Sequence, residues 1–308
     1  MSGKIAALFP GQGSQIVGMA KDLYDNHPSA AQVLDEAEAT LPGLVHLMFS
    51  GPTEALQDTA NQQPALVAAG AAAFAAYREA GGHAPNYAAG HSLGEYTAHV
   101  AAGSLPLPEA LRLVRKRGIY MQEAVPKGKG TMAAVLKLSP SVIEQVCQEI
   151  GGVVEPANFN SPNQTVISGE FTSVNKAAEI LKKKGARVIP LKVSAPFHCS
   201  LMQPAANRLA TDLEKITFRE PAFKIIVNVT ADFLNDTHEA AHILTQQVTA
   251  TVRWQESLER LVKLNVVHFL EFGSGDVLTK LVNRNFEGSE GKAVFDSKTV
   301  QQAIQEAP

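Results

Sequence analysis

Gly90-His91-Ser92-Leu93-Gly94 fits the pattern G-x-S-x-G, with a short apolar run before it and a helix-forming stretch after it. That arrangement is suited to nucleophilic chemistry. A serine on a tight strand-to-helix turn projects its hydroxyl outward, and glycines two residues to either side let the adjoining backbone pass without a clash. The N–H of Leu93, at the start of the helix, would then face a developing oxyanion. The competing reading is an ordinary Gly-flanked helix cap. A serine hydroxyl is a weak nucleophile at neutral pH and needs a base. Of the nine histidines, His91 is adjacent, but neighbouring side chains diverge on such a turn. His198 is the better candidate, in the loop Pro196-Phe197-His198-Cys199 that follows a strand, where functional groups concentrate. A buried structural histidine is its alternative. Cys199 lacks the context that favours Ser92.

A third residue stands out by helical phase. Stepping about 100° per residue from Ala110, the residues Ala110, Leu111, Leu113, Val114, Gly118 and Met121 share one arc. Arg112, Arg115 and Lys116 fall outside it, whereas Arg117 falls inside, at about 340°. A buried guanidinium is costly without an anionic partner. Two readings stay open: an internal ion pair or a side chain that reaches out to solvent, and a substrate carboxylate gripped bidentately.

Alternating strands and helices must position these groups. Lys4–Phe9, Asn86–Ala89 and Val266–Phe272 read as strands. Helices are expected from Pro64 through Tyr77 to the breaker Gly81-Gly82, over Leu93–Ala102, from Pro108 to about Glu123, and from near Val277. This succession predicts an α/β domain with a mainly parallel sheet. After Pro126, Gly128 and Gly130 the rhythm changes: strand Thr131–Leu138, helix Pro140–Ile150, strands Val153–Asn158 and Gln164–Ser168, helix Thr172–Lys184, strand Arg187–Val193. That β-α-β-β-α-β order is ferredoxin-like. The expected organisation is a large α/β part over residues 1–126 and 197–308, with residues 127–196 inserted as a small subdomain.

Composition narrows the function. The 308 residues are 45% hydrophobic and 19% charged with net charge −3, the profile of a globular protein without reason to bind nucleic acid. Charge is uneven: nine Lys/Arg and five Glu lie between Lys127 and Lys192, leaving 18 basic and 25 acidic residues elsewhere. The run Lys182-Lys183-Lys184 is either a solvated helix face or a docking face for an acidic partner. Cys147 and Cys199 make neither a disulfide framework nor a zinc site, so no metal is expected. The N-terminal stretch lacks a signal-peptide pattern, and Ala65–Tyr77 is too short to span a bilayer. A cytoplasmic protein is expected. Gly11-x-Gly13 begins a dinucleotide fingerprint, but Ile16 stands where the third glycine belongs.

Four motifs in order, Phe9-Pro-Gly-Gln-Gly-Ser-Gln15, Gly90-His-Ser-Leu-Gly-Glu-Tyr96, Asn158-Phe-Asn-Ser-Pro162 and Ala195-Pro-Phe-His198, resemble the malonyl-CoA:acyl carrier protein transacylase family. Its fold also serves as the acyltransferase domain of fatty acid and polyketide synthases, and the likeness runs from Ile5 to about Val282. It implies an α/β-hydrolase-like large domain with an inserted ferredoxin-like subdomain, and malonyl transfer from malonyl-CoA to an acyl carrier protein for fatty acid biosynthesis. Coenzyme A enters as the substrate's thioester, with no bound cofactor, and the resemblance points to a monomer. Ser92 would be acylated and His198 would be base, then acid. Gln12 and Leu93 would supply oxyanion N–H groups, and Arg117 would hold the malonyl carboxylate. The histidine would be oriented by a main-chain carbonyl, at the position before Trp254, which is Arg253 where many relatives have glutamine. Thr251-Val-Arg-Trp254 lacks the common proline, and Gly273-Ser-Gly275 has serine where proline is usual. Gln63 and Asn160 would line the pocket. Phe197 supplies an aromatic that would crowd a branched acyl group. A serine hydrolase and a catalytically silent carrier-protein binding module are the alternatives. Possession of both Ser92 and His198 argues against the second.

Overall fold

The computed structural model describes residues 3–306; the outermost residues of the expected large part, 1–2 and 307–308, lie outside that span. Among the described residues the strands are β1 (Lys4–Phe9), β2 (Tyr87–Gly90), β3 (Gly130–Leu136), β4 (Val154–Ser161), β5 (Gln164–Glu170), β6 (Arg187–Pro190), β7 (Lys224–Ile226), β8 (Val266–Phe272) and β9 (Glu290–Val294). They form two sheets.

The first sheet runs β7-β2-β1-β8-β9, with every neighbouring pair parallel. Ala6, Ala7, Leu8 and Phe9 are all fully buried, because helices cover both faces of such a sheet; this is why β1 reads as an unbroken apolar run rather than an alternating one. The helix Thr59–Glu79 crosses this core with Ala65, Val67, Ala68, Ala72, Ala73 and Ala76 buried. It begins five residues before Pro64, the expected first position. Asp58 caps it by accepting a 2.9 Å bond from the Ala60 N–H, and Pro64 sits within the helix, where it removes one ladder donor. A strong cap upstream outweighed the proline signal.

The second sheet is antiparallel, in the order β4-β5-β3-β6. The helices Pro140–Glu149 and Phe171–Lys183 supply Ile143, Val146, Val174 and Leu181 to its own apolar core. The expected β-α-β-β-α-β succession is present, and the chain is a mixed α/β fold with a large parallel sheet and a small antiparallel one. The two sheets are tied by main-chain bonds between β4 and the segment around Val252: Phe159 N–H to Val252 O, and Val252 N–H to Ala157 O, both 2.9 Å. No helix among the described residues is long and apolar enough to cross a membrane.

Candidate active site

Because β7, β2, β1 and β8 are parallel, the loops that follow them emerge on one edge of the sheet, where open α/β sheets hold ligands. Phe9 pairs with Gly90, and the His91 N–H donates to Phe9 O at 3.0 Å. The Gly11–Gln15 loop therefore lies beside the His91–Leu93 turn. A Cβ on Gly90 would come within 1.9 Å of the Gly94 carbonyl carbon, and one on Gly94 within 2.0 Å of Phe9 O. The two flanking glycines are thus required by backbone contact. Ser92 between them has φ +51°, a conformation that costs a non-glycine residue about 1–3 kcal/mol.

Ser92 Oγ lies 2.7 Å from His198 Nε2. His198 Nδ1 faces the main-chain carbonyls of Gln247 at 2.9 Å and Ala250 at 3.2 Å. Carbonyls only accept, so Nδ1 carries the proton and Nε2 is left to accept from the Ser92 hydroxyl. Burial, and then the charge of Arg117, press the His198 imidazole down to about 3, so it is neutral across the physiological range. Both residues sit at the floor of a cleft of about 590 Å³ between the sheets, whose walls include Gln12, Met132, Asn158, Leu191 and Phe197.

Arg117 is fully buried, whereas Arg112 and Lys116 on the same helix are exposed. Its Nη1 donates to Gln63 Oε1 at 2.9 Å, and its Nη2 donates to Ser92 Oγ at 3.1 Å and to Gln247 Oε1 at 3.2 Å. The Tyr96 ring lies 5.5 Å from its Cζ. No acceptor of this guanidinium is a carboxylate. Among the described residues its Nε and the Gln63 Nε2 are buried without a hydrogen-bond partner. The internal ion pair considered from sequence is absent among the described residues. Burial lowers the Arg117 pKa, but a guanidinium stays charged at neutral pH, so a cation that no carboxylate touches stands against the serine oxygen.

The remaining sequence candidates divide. Leu93 is buried at the start of the helix Gly94–Ala101. Gln12 lies on the cleft wall, its side chain donating to Gln62 Oε1 at 2.6 Å. Asn160 Oδ1 pairs with His91 Nε2 at 2.8 Å and lines an adjoining recess of about 430 Å³. Arg253 requires correction: its carbonyl accepts from the N–H and Oγ of Ser257, at 3.0 and 2.9 Å, in the helix Trp254–Lys263. The first turn of that helix occupies it, and the carbonyls facing His198 belong to Gln247 and Ala250. Three residues went unread: Gln247, Asn228 and Glu95, all buried. Asn228 Oδ1 accepts from the Ser92 N–H and its Nδ2 donates to Gly90 O, each at 2.7 Å, clamping the turn from both sides. Polar residues of these types are usually exposed, and only the neighbouring strand-end position of Asn228, after β7, offered a signal. No group of three or more His, Cys, Asp or Glu among the described residues is placed to hold a metal ion.

A strained serine, a neutral histidine in the tautomer that accepts its proton, and a helix starting at the next residue are what acyl transfer needs. Residues 7–300 match the model of the acyl transferase domain. The chain belongs to the acyl transferase family. It is 43% identical to the malonyl CoA-acyl carrier protein transacylase of Bacillus subtilis, over 98% of this chain and 96% of that one. With the protein of the same name from Escherichia coli K12 it shares 41% identity, over 98% and 99%. Among solved structures, the malonyl CoA-acyl carrier protein transacylase of Coxiella burnetii superposes with a TM-score of 0.97 at 40% identity, covering 100% of this chain and 98% of that one. A malonyl-transacylase in complex with a type II PKS acyl-carrier protein gives 0.95 at 42%, covering 98% and 99%. The likeness to them spans 98–100% of this acyltransferase.

Proposed function

We propose that this acyltransferase moves a malonyl group from malonyl-CoA to the phosphopantetheine thiol of an acyl carrier protein, for fatty acid biosynthesis, through an ester on Ser92. The observation that carries this reading is Arg117: a buried cation with no carboxylate of its own, 3.1 Å from the serine oxygen. A malonyl thioester brings a carboxylate that can contact it directly, at the far end of its acyl group.

In the proposed cycle Ser92 Oγ attacks the thioester carbonyl as its proton passes to His198 Nε2. The N–H groups of Gln12 and Leu93 receive the oxyanion. The C–S bond breaks, and coenzyme A leaves as a thiol with the proton from His198. The carrier thiol then attacks the ester, returning its proton through His198 to Ser92. The substrate has a second effect. Arg117 depresses His198, so a carboxylate paired with that guanidinium relieves the depression and makes the base stronger when the correct acyl group is bound. An uncharged acyl group would leave Arg117 buried and unpaired, and would forgo that gain. Phe197 at the wall favours an unbranched acyl chain, Gln63 holds Arg117, and Asn160 lines the recess beside His91. In this reading the described residues up to 126 and from 197 onward form the catalytic part, and 127–196 the inserted one. One chain supplies the serine, histidine and arginine, which supports a monomer acting alone; a cytoplasmic location and the absence of a bound cofactor are part of the same reading.

Intact-mass measurement tests this directly. Mixing with malonyl-CoA should add one malonyl group, and a carrier thiol should remove it; Ser92→Ala should take up none. An adduct that discharges to water as fast as to carrier protein would favour the hydrolase instead.

A further inference from the structure

Beneath the turn, one carboxylate joins the groups that hold the site together. Glu95 is fully buried. Its Oε2 accepts from the Asn228 N–H at 2.9 Å and from Gln247 Nε2 at 2.8 Å. These two residues in turn hold the main chain of the Gly90–Ser92 turn. Asn228 holds the Ser92 N–H and the Gly90 carbonyl. Gln247 Nε2 donates to the Ser92 carbonyl at 3.0 Å, its Oε1 receives Arg117, and its main-chain oxygen receives His198 Nδ1. A single oxygen therefore fixes the side-chain amide orientation of Gln247 and anchors the main chain at Asn228. If Gln247 turned over, Arg117 would meet an NH₂ group instead of an acceptor.

We infer that Glu95 is a positioning residue: through Gln247 and Asn228 it sets the geometry of Ser92 and Arg117, and it places a negative charge on the far side of the Gln247 amide from Arg117, without touching the guanidinium. The inference rests on the malonyl-serine reading above. Its interacting charged and titratable groups are Arg117 from the helix Leu107–Glu123 and Tyr96 on its own helix; the facing elements at Asn228 and Gln247 contribute amides only. Burial raises the Glu95 carboxyl to about 7, against the opposing pull of its hydrogen bonds and of Arg117. It thus changes charge where His198, pressed to about 3, does not.

The test is the rate of malonyl-serine formation from pH 5 to 8, using the N-acetylcysteamine thioester of malonate, which has no phosphates to titrate. Wild type should slow as pH falls through about 7. Glu95→Gln, a neutral isostere that can still accept both N–H groups, should be about tenfold slower at pH 8, a loss of roughly 1.4 kcal/mol in transition-state stabilisation. Its KM should not rise, its rate should be flat with pH, and wild type at pH 5.5 should converge on it. A Glu95→Gln enzyme equal to wild type at pH 8, or a flat wild-type profile, would overturn the inference. Should the variant fail to fold by circular dichroism, the wild-type profile alone decides. A wild type that loads normally while these signatures are missing removes only the role of Glu95. A wild type that forms no adduct at any pH removes the malonyl-serine reading with it.

Discussion

Arg117 and the Lys182–Lys184 run are the same kind of charge in opposite surroundings. Arg117 lies wholly inside the parallel-sheet part, held by two glutamine oxygens and the Ser92 hydroxyl. The three lysines end the outer helix of the antiparallel sheet, all exposed, with no ion pair among the described residues. Water screens an exposed charge, which can steer an encounter but discriminates poorly. A desolvated charge with fixed donors rejects whatever cannot pair with it. On the proposed function, selection of the acyl group falls to the first region and, at most, recruitment of the acyl donor or acceptor to the second.

Three substitutions probe that contrast. Gln247→Ala keeps the main-chain carbonyl that faces His198 but strips the side chain from Ser92, Glu95 and Arg117 together. It should have the largest effect, slowing serine loading about 100-fold, since two or more buried groups lose partners worth ~1–3 kcal/mol each. Single-turnover loading measures it; a change under twofold would mean the buried region does not depend on those brackets. Glu95→Gln comes next, at the tenfold level given above. Smallest is reversal of Lys182, Lys183 and Lys184 to Glu, which should weaken transfer to carrier protein a few-fold, more at low salt than at high, with malonyl loading unchanged. Equal transfer at every ionic strength would reduce that face to solvation.

The same contrast explains what could be read beforehand. The nucleophile turn was legible because a Cβ at Gly94 would come within 2.0 Å of Phe9 O, which leaves only glycine there. Arg117 was legible because a helix repeats, so one cation in an apolar arc betrays its burial. Asn228, Glu95 and Gln247 carry no such mark, since residue type alone cannot separate a buried amide from a solvated one. The support of His198 was misassigned to Arg253 for a related reason. A main-chain carbonyl leaves no trace in residue identity, and only the helix starting at Trp254 shows that the Arg253 oxygen is already engaged. Likewise the helix start at Thr59 depends on the Asp58 cap, which the proline signal obscured.

The central claim is that the unpaired guanidinium beside Ser92 chooses a carboxylated acyl group. Competition between malonyl- and acetyl-CoA for Ser92, read as the ratio of the two adduct masses in wild type and Arg117→Ala, tests it most directly. Wild type should carry malonyl almost exclusively, and the variant should shift toward acetyl by about 100-fold or more in the ratio, the scale of one buried charged pair. An unchanged ratio in a folded variant that still acylates Ser92 would contradict it.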